Sequence, residues 1–487
     1  MRWLSPSRGS TVVVKPVLTP LEMAGVDRQA EEPSEVLIGR AGAAVARRAA
    51  RLLGGAFGRR VVVVAGKGNN GADGRTAGRL LEERGAKVTV LAAGNLAPSE
   101  PLPDADLVID AAYGTGLQRA YSPPTAGSCP VLAVDIPSGL SGLTGEVPEG
   151  GGALAAVATV TFASLKPGLF FGSGPDLAGA VEMADIGLGP LVDAAARCWL
   201  VEDADVWRLL GTRPHEAHKW QTAVQVVAGS PGMTGAPWLV SRGALRAGAG
   251  YVRLSMPGVG PSVLPPSELV HLPVPRAGWH EHVLAGISRV KALVVGPGLG
   301  APPAEGGTGE PGAGGPGAGE VGLLLAGAPV PAVVDADGLN ALGSLEALAA
   351  ITARRRAPTV ITPHAGELAR LAGRPPGPDR LAAAREAAAR SGAIVLLKGS
   401  TTTVAHPDGR ALLVAAGDPR LATAGTGDVL SGVVGAFLAR GVPAFEAAAL
   451  AAQVHGQAAR TGYKEGLVAG DLPELVAAWL SARPASR

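Results

Sequence analysis

Short runs of β-branched residues alternate with longer stretches rich in alanine, leucine and arginine along most of this chain. Nearly continuous apolar runs are typical of strands that a parallel sheet buries on both faces, and the stretches between them are long enough for crossover helices. In the first half, the pattern predicts a helix at Gly71–Arg84 and strands at Val61–Ala65, Lys87–Ala92, Leu107–Asp110, Val131–Asp135 and Val157–Phe162.

The same alternation continues in the second half of the chain. Strands are predicted at Val224–Ala228, Tyr251–Ser255, Ala292–Val295, Ala332–Asp335, Thr359–Thr362 and Ile394–Lys398. Helices are predicted at Pro237–Ala247, Gly338–Arg354, Glu367–Leu371, Asp379–Arg390 and Asp428–Leu438. Because these strands are too many for one open sheet, we predict two three-layer α/β domains, at residues 1–205 and 206–487.

Composition adds one irregular segment to this picture. The chain has 71 glycines and 41 prolines among 487 residues, and segment 302–320 consists almost entirely of glycine, proline, alanine and glutamate. Such a segment buries little apolar surface, so we predict a flexible surface insertion there. Apolar residues make up 47% of the chain, which is enough for a large core and excludes a disordered protein. The two cysteines, Cys129 and Cys198, exclude a disulfide scaffold.

Charge and hydropathy limit the partners that this chain can have. The net charge is +2, and acidic and basic residues are spread along the sequence, unlike the basic footprint of a nucleic-acid-binding protein. No uncharged apolar run reaches the roughly 18 residues of a membrane span, and no apolar segment typical of a signal peptide follows the first residues. We therefore expect a cytoplasmic protein with no nucleic-acid or membrane partner.

A glycine-rich turn follows the first predicted strand of the first half. Residues 66–74 have the sequence GKGNNGADG, which contains the G-x-G-x-x-G pattern of phosphate-binding turns at helix N-termini. A dinucleotide-binding domain also needs an acidic residue after the next strand, and Ala93, Gly94 and Asn95 stand there instead. Lys67 does not complete a P-loop pattern either. An ordinary NAD-dependent dehydrogenase is therefore disfavoured.

Polar residues follow three strands of the first half. They are Asn69, Asn70 and Asp73 in the glycine-rich turn, loop 110–117, and loop 135–139. The carboxyl ends of parallel strands meet at one sheet edge, where carboxylate, amide and hydroxyl oxygens could bind a hard cation or an aspartate could act as acid and base. Capping of turns and helices could explain any single loop, but it explains all three together less well.

With these motifs, the first half resembles the epimerase domain of the NAD(P)H-hydrate repair enzymes. The resemblance covers about residues 15–200 and rests on GNNGxDG at 68–74, loop 110–117, VDIPSG at 134–139 and TFxxxKPG at 161–168. It implies a Rossmann-like domain that binds hydrated NADH or NADPH, a potassium ion on Asn70, Asp110 and Ser138, and Asp135 as catalytic acid/base. Ala72 departs from the family, which usually has glycine there. The implied nucleotide-binding residues are Asn69, Asn70, Gly71, Ala72, Asp73, Gly114, Thr115, Gly116, Leu117, Gln118, Arg119, Ala120 and Asp135.

A second polar constellation lies in the second half. Segment 424–428 has the sequence AGTGD and leads into a predicted helix, where small residues let backbone N–H groups converge on phosphoryl oxygens. Asp428 could then take a proton from an attacking hydroxyl group, as phosphoryl transfer requires. A capped helix would explain this segment alone, and His364 alone would more often be a capping residue. Four further polar or glycine-rich loops follow other strands: 296–300, 335–340, 362–367 and 398–402.

This set resembles the dehydratase half of the same enzymes, which is ribokinase-like, over about residues 212–480. The segment HKW at 218–220 and the loop 229–236 match as well. The resemblance implies ADP as co-substrate in bacterial members, with Mg²⁺ on its phosphates. It implies contacts to the hydrated nucleotide from Ala236, Gly300, His364 and Asp428. The implied adenine-nucleotide contacts are Lys398, Gly399, Ser400, Thr401, Thr402 and Gly427. The insertion 302–320 departs from the family by lengthening the loop after 296–300.

Both halves point to one substrate class. The resemblance implies repair of hydrated NADH and NADPH, in which the first domain interconverts the R and S hydrates and the second dehydrates the S hydrate with ADP. The alternative is a ribokinase-like kinase for a vitamin-precursor alcohol that carries a non-catalytic nucleotide-binding module. The expected partners are hydrated NAD(P)H and ADP, and a homo-oligomer is expected.

Overall fold

The computed structural model describes residues 15–117, 119–260, 263, 265, 267–300 and 319–482. The predicted insertion at 302–320 lies outside the described residues except for its last two positions, and Gln118 also lies outside them. The chain divides into two compact units between residues 199 and 200, whereas the sequence predicts a boundary after residue 205.

The first unit contains a six-stranded sheet in which every pair of neighbouring strands is parallel. Its order is β3-β2-β4-β5-β6-β7, so the chain leaves β2 to one side and returns on the other, and a ligand cleft is expected at that switch. The strands of this unit are β1 (Lys15–Pro16), β2 (Arg60–Ala65), β3 (Lys87–Ala92), β4 (Leu107–Ala111), β5 (Val131–Val134), β6 (Ala158–Phe162) and β7 (Ala180–Ala184); β8 (Cys198–Leu200) crosses the division.

Helix packing brings the glycine-rich turn onto this sheet. The helices are α1 (Pro20–Gln29), α2 (Ser34–Leu53), α3 (Asn69–Glu82), α4 (Gly174–Ala178) and α5 (Gly189–Ala195). Helix α3 packs on β2 and β3 and also against α2. A methyl group on Gly71 would lie 1.9 Å from the carbonyl oxygen of Gly66, so only glycine lets the first turn of α3 approach the end of β2 this closely. This approach places Asn69 and Asn70 at the sheet edge.

The second unit contains a larger sheet with the order β17-β16-β15-β14-β13-β12-β9-β10-β11. Its strands are parallel except β16, which is antiparallel to both of its neighbours. The chain switches sides of the sheet between β9 and β12. The strands are β9 (Ala223–Val227), β10 (Tyr251–Ser255), β11 (Val270–His271), β12 (Ala292–Val295), β13 (Ala332–Val334), β14 (Thr359–Ile361), β15 (Ile394–Leu397), β16 (Thr402–Ala405) and β17 (Ala411–Val414).

One nearly fully buried helix begins at the segment 424–428 of this unit. The helices are α6 (Asp203–Leu210), α7 (Gly235–Arg246), α8 (Trp279–Ala285), α9 (Glu320–Gly327), α10 (Asp337–Leu342), α11 (Leu345–Thr352), α12 (Ala365–Ala372), α13 (Arg380–Ser391), α14 (Thr426–Ala439), α15 (Ala444–Thr461) and α16 (Leu472–Ser481). Nearly all residues of α14 are buried. A methyl group on its Gly432 would lie 2.1 Å from the carbonyl oxygen of Val240, so α7 and α14 pack with backbones in close approach.

The prediction of α/β units built on parallel sheets is confirmed, with two corrections in the second unit. The single helix predicted at Gly338–Arg354 is wrong: α10 ends before Gly343, whose φ is +77°, and the hydroxyl group of Ser344 caps α11 by accepting from the N–H of Ala347. The sheet is also not wholly parallel, because β16 runs antiparallel to both β15 and β17. Among the described residues, no helix is both long enough and apolar enough to cross a membrane.

The guanidinium of Arg355 forms hydrogen bonds with three carbonyl groups in the last turn of α9 and just after it. It donates to the carbonyl oxygens of Leu325, Ala328 (3.1 Å) and Val330 (2.9 Å), and burial lowers the pKa of Arg355 to about 10. We predict that Arg355→Ala lowers the free energy of unfolding by about 2–3 kcal/mol, because it leaves these carbonyl groups without their donor. Urea denaturation of the full chain measures the effect. Arg354→Ala, at an exposed position, is the matched control, and equal losses in the two variants would contradict this role.

Candidate functional sites

The first unit has a cleft of about 1150 Å³ at the carboxyl edge of its sheet, where the loops after β2 and β4 diverge. Most of the residues predicted for this site line it: Asn69, Asn70, Asp73, Gly114, Thr115, Gly116, Leu117, Arg119 and Asp135. Gly71 and Ala72 lie in the first turn of α3 behind this lining, and Ala120 is exposed beside it. Ala72 is half-buried, so the helix accommodates the methyl group that the family usually lacks.

Asp135 is held in place by a buried lysine. The Nζ atom of Lys166 lies 2.6 Å from Oδ1 of Asp135, and the side chain of Lys166 is 3% exposed. The hydroxyl group of Thr161 donates to the same oxygen at 3.1 Å. Asp135 has a φ of +66°, a conformation that costs a non-glycine residue free energy and that proteins keep mostly at functional sites. The surroundings therefore fix the Asp135 side chain in one position, facing the cleft.

Asp73 has a different environment, although it lines the same cleft. It is 7% exposed, and no hydrogen bond or ion pair of its side chain is found within the described residues. Burial, together with the negative charge of Asp135, raises the pKa of Asp73 to about 8. At neutral pH, Asp73 is therefore mostly protonated.

A buried polar group lies beneath the cleft. The hydroxyl and the N–H of Ser138 donate to the two carboxylate oxygens of Asp110, at 2.6 and 2.9 Å, and burial raises the pKa of Asp110 against the effect of these bonds. Both polar atoms of the Asn70 side chain are buried, and neither has a hydrogen-bond partner among the described residues. A buried amide oxygen without a partner and a buried carboxylate are both ligands that suit a hard monovalent cation. No group of three or more histidine, cysteine, aspartate or glutamate residues within the described ranges is placed to bind a metal.

Lys398 is the centre of the site in the second unit. Its Nζ atom lies 2.9 Å from Oδ1 of Asp335 and 3.6 Å from Oε2 of Glu367, and these two carboxylates raise the pKa of Lys398 against the effect of burial. The hydroxyl group of Ser431 donates to the other carboxylate oxygen of Asp335 at 2.7 Å. Lys398 therefore links the ends of β13, β15 and helix α12, and through Ser431 helix α14.

Asp428 stands in the first turn of α14, beside this ion-pair cluster. Its pKa is raised to about 7, mainly by burial and then by the charge of Asp335, while Lys398 acts in the opposite direction. A methyl group on the preceding Gly427 would lie 3.5 Å from Nζ of Lys398, so the backbone before Asp428 passes directly over the lysine. A carboxyl group with this pKa can act as a base near neutral pH.

The other residues predicted for this site surround the cluster. The N–H of Gly300 donates to Oδ2 of Asp337 at 3.0 Å, and a methyl group on Gly298 would lie 3.2 Å from Cβ of Ala236. His364 caps α12: its Nδ1 accepts from the N–H of Gly366 at 3.0 Å, and its ring is more than half exposed. Gly399 and Ser400 are exposed, Thr402 and Gly427 are half-buried, and Thr401 is buried. These positions are compatible with nucleotide contacts, which remain predictions.

Sequence patterns did not give roles to four side chains that the structure places in these sites. The sequence marks Lys166 only as the lysine of the TFxxxKPG segment, and Glu367 only as the last residue of loop 362–367. Arg380 donates to the carbonyl oxygen of Lys398 at 2.8 Å from a helix with no motif. His455 of α15 is buried and forms a hydrogen bond with the backbone of Thr426, where α14 begins. The position of Lys166 within its motif was the one available signal.

The two units and their sites define an enzyme with two α/β domains, each of which carries an aspartate at the carboxyl edge of a mainly parallel sheet. Residues 224–480 match the family model described as NAD(P)H-hydrate dehydratase, and residues 34–102 and 94–168 match that of the YjeF-related protein N-terminus.

Relatives match the chain over almost its whole length. The bifunctional NAD(P)H-hydrate repair enzyme of Salinibacter ruber is 34% identical, over 96% of this chain and 97% of the relative. That of Moorella thermoacetica is 35% identical, over 94% and 95%. A crystal structure of the ADP/ATP-dependent NAD(P)H-hydrate dehydratase of Bacillus subtilis, co-crystallised with ATP and Mg²⁺, is 26% identical, covers 57% of this chain and 95% of that chain, and has a TM-score of 0.46. The chain belongs to the family of bifunctional NAD(P)H-hydrate repair enzymes.

The Lys166–Asp135 pair can be tested by a double-mutant cycle. We predict that Lys166→Met lowers the free energy of unfolding by about 3 kcal/mol, because it leaves a buried carboxylate without its cation. Adding Asp135→Asn to Lys166→Met should restore part of this loss, with a coupling of about 1–3 kcal/mol measured by urea denaturation of the single and double variants. Additive effects of the two substitutions would contradict a direct ion pair.

Proposed function

We propose that this chain repairs NADH and NADPH whose nicotinamide ring has gained water. The first unit interconverts the R and S hydrates, and the second uses ADP to dehydrate the S hydrate. The observation that supports two separate activities is that each unit has its own carboxylate–lysine cluster, Asp135 with Lys166 and Asp335 with Lys398. Family membership favours this function over a vitamin-precursor kinase with a non-catalytic module.

In the second unit, Asp428 acts as the base. It removes the proton of the ring hydroxyl, whose oxygen attacks the terminal phosphorus of ADP, and AMP leaves as the P–O bond to it breaks. The phosphate ester then eliminates inorganic phosphate with a ring proton, which restores the carbon–carbon double bond of NAD(P)H. Small residues before Asp428 leave the N–H groups of the α14 N-terminus open to the phosphoryl oxygens. Lys398 and Gly427 lie beside this turn, and segment 399–402 follows Lys398.

The proposed function involves two cations, potassium in the first unit and Mg²⁺ in the second, and each rests on a different argument. Asn70, Asp110 and Ser138 would hold a potassium ion in the first unit, where it would supply positive charge beside the anionic substrate. In the second unit, Mg²⁺ would arrive with ADP and neutralise its phosphates. We place the reaction in the cytoplasm, where both free cysteines, Cys129 and Cys198, would stay reduced, and a homo-oligomer remains a prediction.

The two-site assignment predicts that the activities can be removed separately. Asp428→Asn should lower ADP-dependent recovery of NADH from the S hydrate by roughly 100-fold or more, because the attacking hydroxyl loses its base. Interconversion of the R and S hydrates, followed by chromatography without ADP, should be unchanged. Asp135→Asn should give the opposite pattern, with slow use of the R hydrate only. If either variant lost both activities while folded, the two-site assignment would fail.

The potassium proposal predicts an ion-specific stabilisation. KCl should raise the thermal unfolding temperature of the first unit above its value in choline chloride of equal ionic strength, because the bound ion stabilises the folded state by mass action. Asn70→Leu should abolish this difference, since the buried amide oxygen is lost. Asn95→Leu, at an exposed cleft position, should keep it and is the matched control. Equal unfolding temperatures of the wild type in the two salts would contradict a potassium site.

A further inference from the structure

The interconversion of the hydrates needs two groups in one site, an acid that gives a proton and a base that accepts one. Water that has added to an enamine double bond leaves its hydroxyl group on the carbon next to nitrogen, so the hydrate is a hemiaminal. Its configuration inverts when the C–O bond breaks, the nitrogen lone pair forms a C=N bond, and water adds to the opposite face. Hydroxide is a poor leaving group, so one residue must protonate it, and another must take a proton from the incoming water.

The cleft of the first unit contains two carboxyl groups whose environments differ in the way that this chemistry needs. One carboxylate oxygen of Asp135 contacts the ammonium of Lys166 at 2.6 Å and accepts a hydrogen bond from the hydroxyl of Thr161 at 3.1 Å. Asp73 is as deeply buried as a core residue, has no cation beside it in the described part of the chain, and faces the negative charge of Asp135. Two carboxyl groups that share one proton in this way are a common arrangement of acid and base in enzymes.

We propose that Asp73 is the second catalytic residue of the interconversion and acts as a general acid opposite Asp135. This proposal rests on the proposed epimerase activity of the first unit and adds a chemical role to a residue that was expected only to bind the nucleotide. Asp27 is the other carboxyl group of the cleft on which the charge of Asp135 acts. Partial burial raises its pKa as well, but Lys166 and Arg28 lower that pKa and the residue is exposed on α1, so Asp27 is less suited than Asp73 to keep a proton.

Each step of the proposed reaction balances. The proton of Asp73 moves to the ring hydroxyl, the C–O bond breaks, and water leaves while the nitrogen lone pair forms the C=N bond. A water molecule then adds to the other face of the ring, and its proton moves to Asp135 as the C=N electrons return to nitrogen. In the reverse direction Asp135 gives the proton and Asp73 accepts it, and the pair exchanges this one proton with solvent between turnovers.

The pH dependence of the wild type tests the proposal without any substitution. Burial and the charge of Asp135 raise the pKa of Asp73 to about 8. The protonated form of Asp73 is therefore lost as the pH rises through this value. The rate of interconversion at saturating hydrate should therefore fall severalfold between pH 7 and pH 9, after subtraction of the rate without protein. A rate that stays constant over this interval would overturn the proposal. The charged groups that line the cleft are Asp27, Lys67, Arg75, Asp73, Arg119, Asp135 and Lys166.

Two variants of the full chain separate catalysis from binding. Asp73→Asn should lower the rate of interconversion by roughly 100-fold or more, with little change in the KM for the hydrate, and should remove the fall above pH 7. Asp73→Glu keeps a carboxyl group and should retain part of the rate together with the fall. Asp104→Asn, an exposed carboxylate before β4, is the matched control and should behave as the wild type.

An isotope measurement tests whether inversion proceeds by breaking the C–O bond, as the proposed reaction requires. In water enriched in ¹⁸O, the wild type should exchange the ring hydroxyl oxygen as it inverts the configuration, and Asp73→Asn should lose exchange and inversion in equal proportion. If the wild type does not interconvert the hydrates, the proposed function of the unit fails. If the wild type does so and folded Asp73→Asn is as fast, only the role of Asp73 is overturned.

Discussion

In each unit, a lysine forms an ion pair with one aspartate of the site, and Lys398 also pairs with Glu367, whereas a second aspartate has no ion pair among the described residues. Lys166 contacts Asp135, while Asp73 has a raised pKa; Lys398 contacts Asp335, while Asp428 has a raised pKa. Burial favours the neutral form of an acid that lacks an ion pair, which is why the pKa values of Asp73 and Asp428 are raised. The proton transfers that we propose at neutral pH depend on these two raised pKa values.

The fold supplies this arrangement at the carboxyl edges of its sheets. There the chain must turn sharply after a strand, and it does so partly through residues other than glycine in the left-handed region, such as Asp135 with φ +66° and Ala336 with φ +51°. Such conformations persist only where surrounding contacts determine them. Asp135 is fixed by its ion pair and by the hydrogen bond from its N–H to the carbonyl of Val160. Ala336 separates Asp335 from Asp337, whose carboxylates face different parts of the second site.

Much of the strand framework could be predicted because central parallel strands are continuous apolar runs, and Lys87–Ala92, Tyr251–Ser255 and Ala292–Val295 have the predicted bounds. The helix at 338–354 was wrong because a local turn at Gly343 and Ser344 interrupts an otherwise helical pattern. The candidate acidic residues followed from their positions after strands or, for Asp428, at the start of a predicted helix. Their protonation states did not, because the contact between Lys166 and Asp135 joins two different loops, and the burial of Asp73 depends on helix packing.

The two proposed activities are tested together most directly by the yield of NADH from an equilibrium mixture of R and S hydrates, with the wild-type chain and ADP. Absorbance of the reduced nicotinamide follows the first product, and chromatography follows AMP and phosphate. We expect complete recovery of both hydrates, with one AMP and one inorganic phosphate for each NADH formed. Recovery that stops when the S hydrate is spent would contradict an epimerase in the first unit. A stable phosphorylated product without free phosphate would contradict a dehydratase in the second.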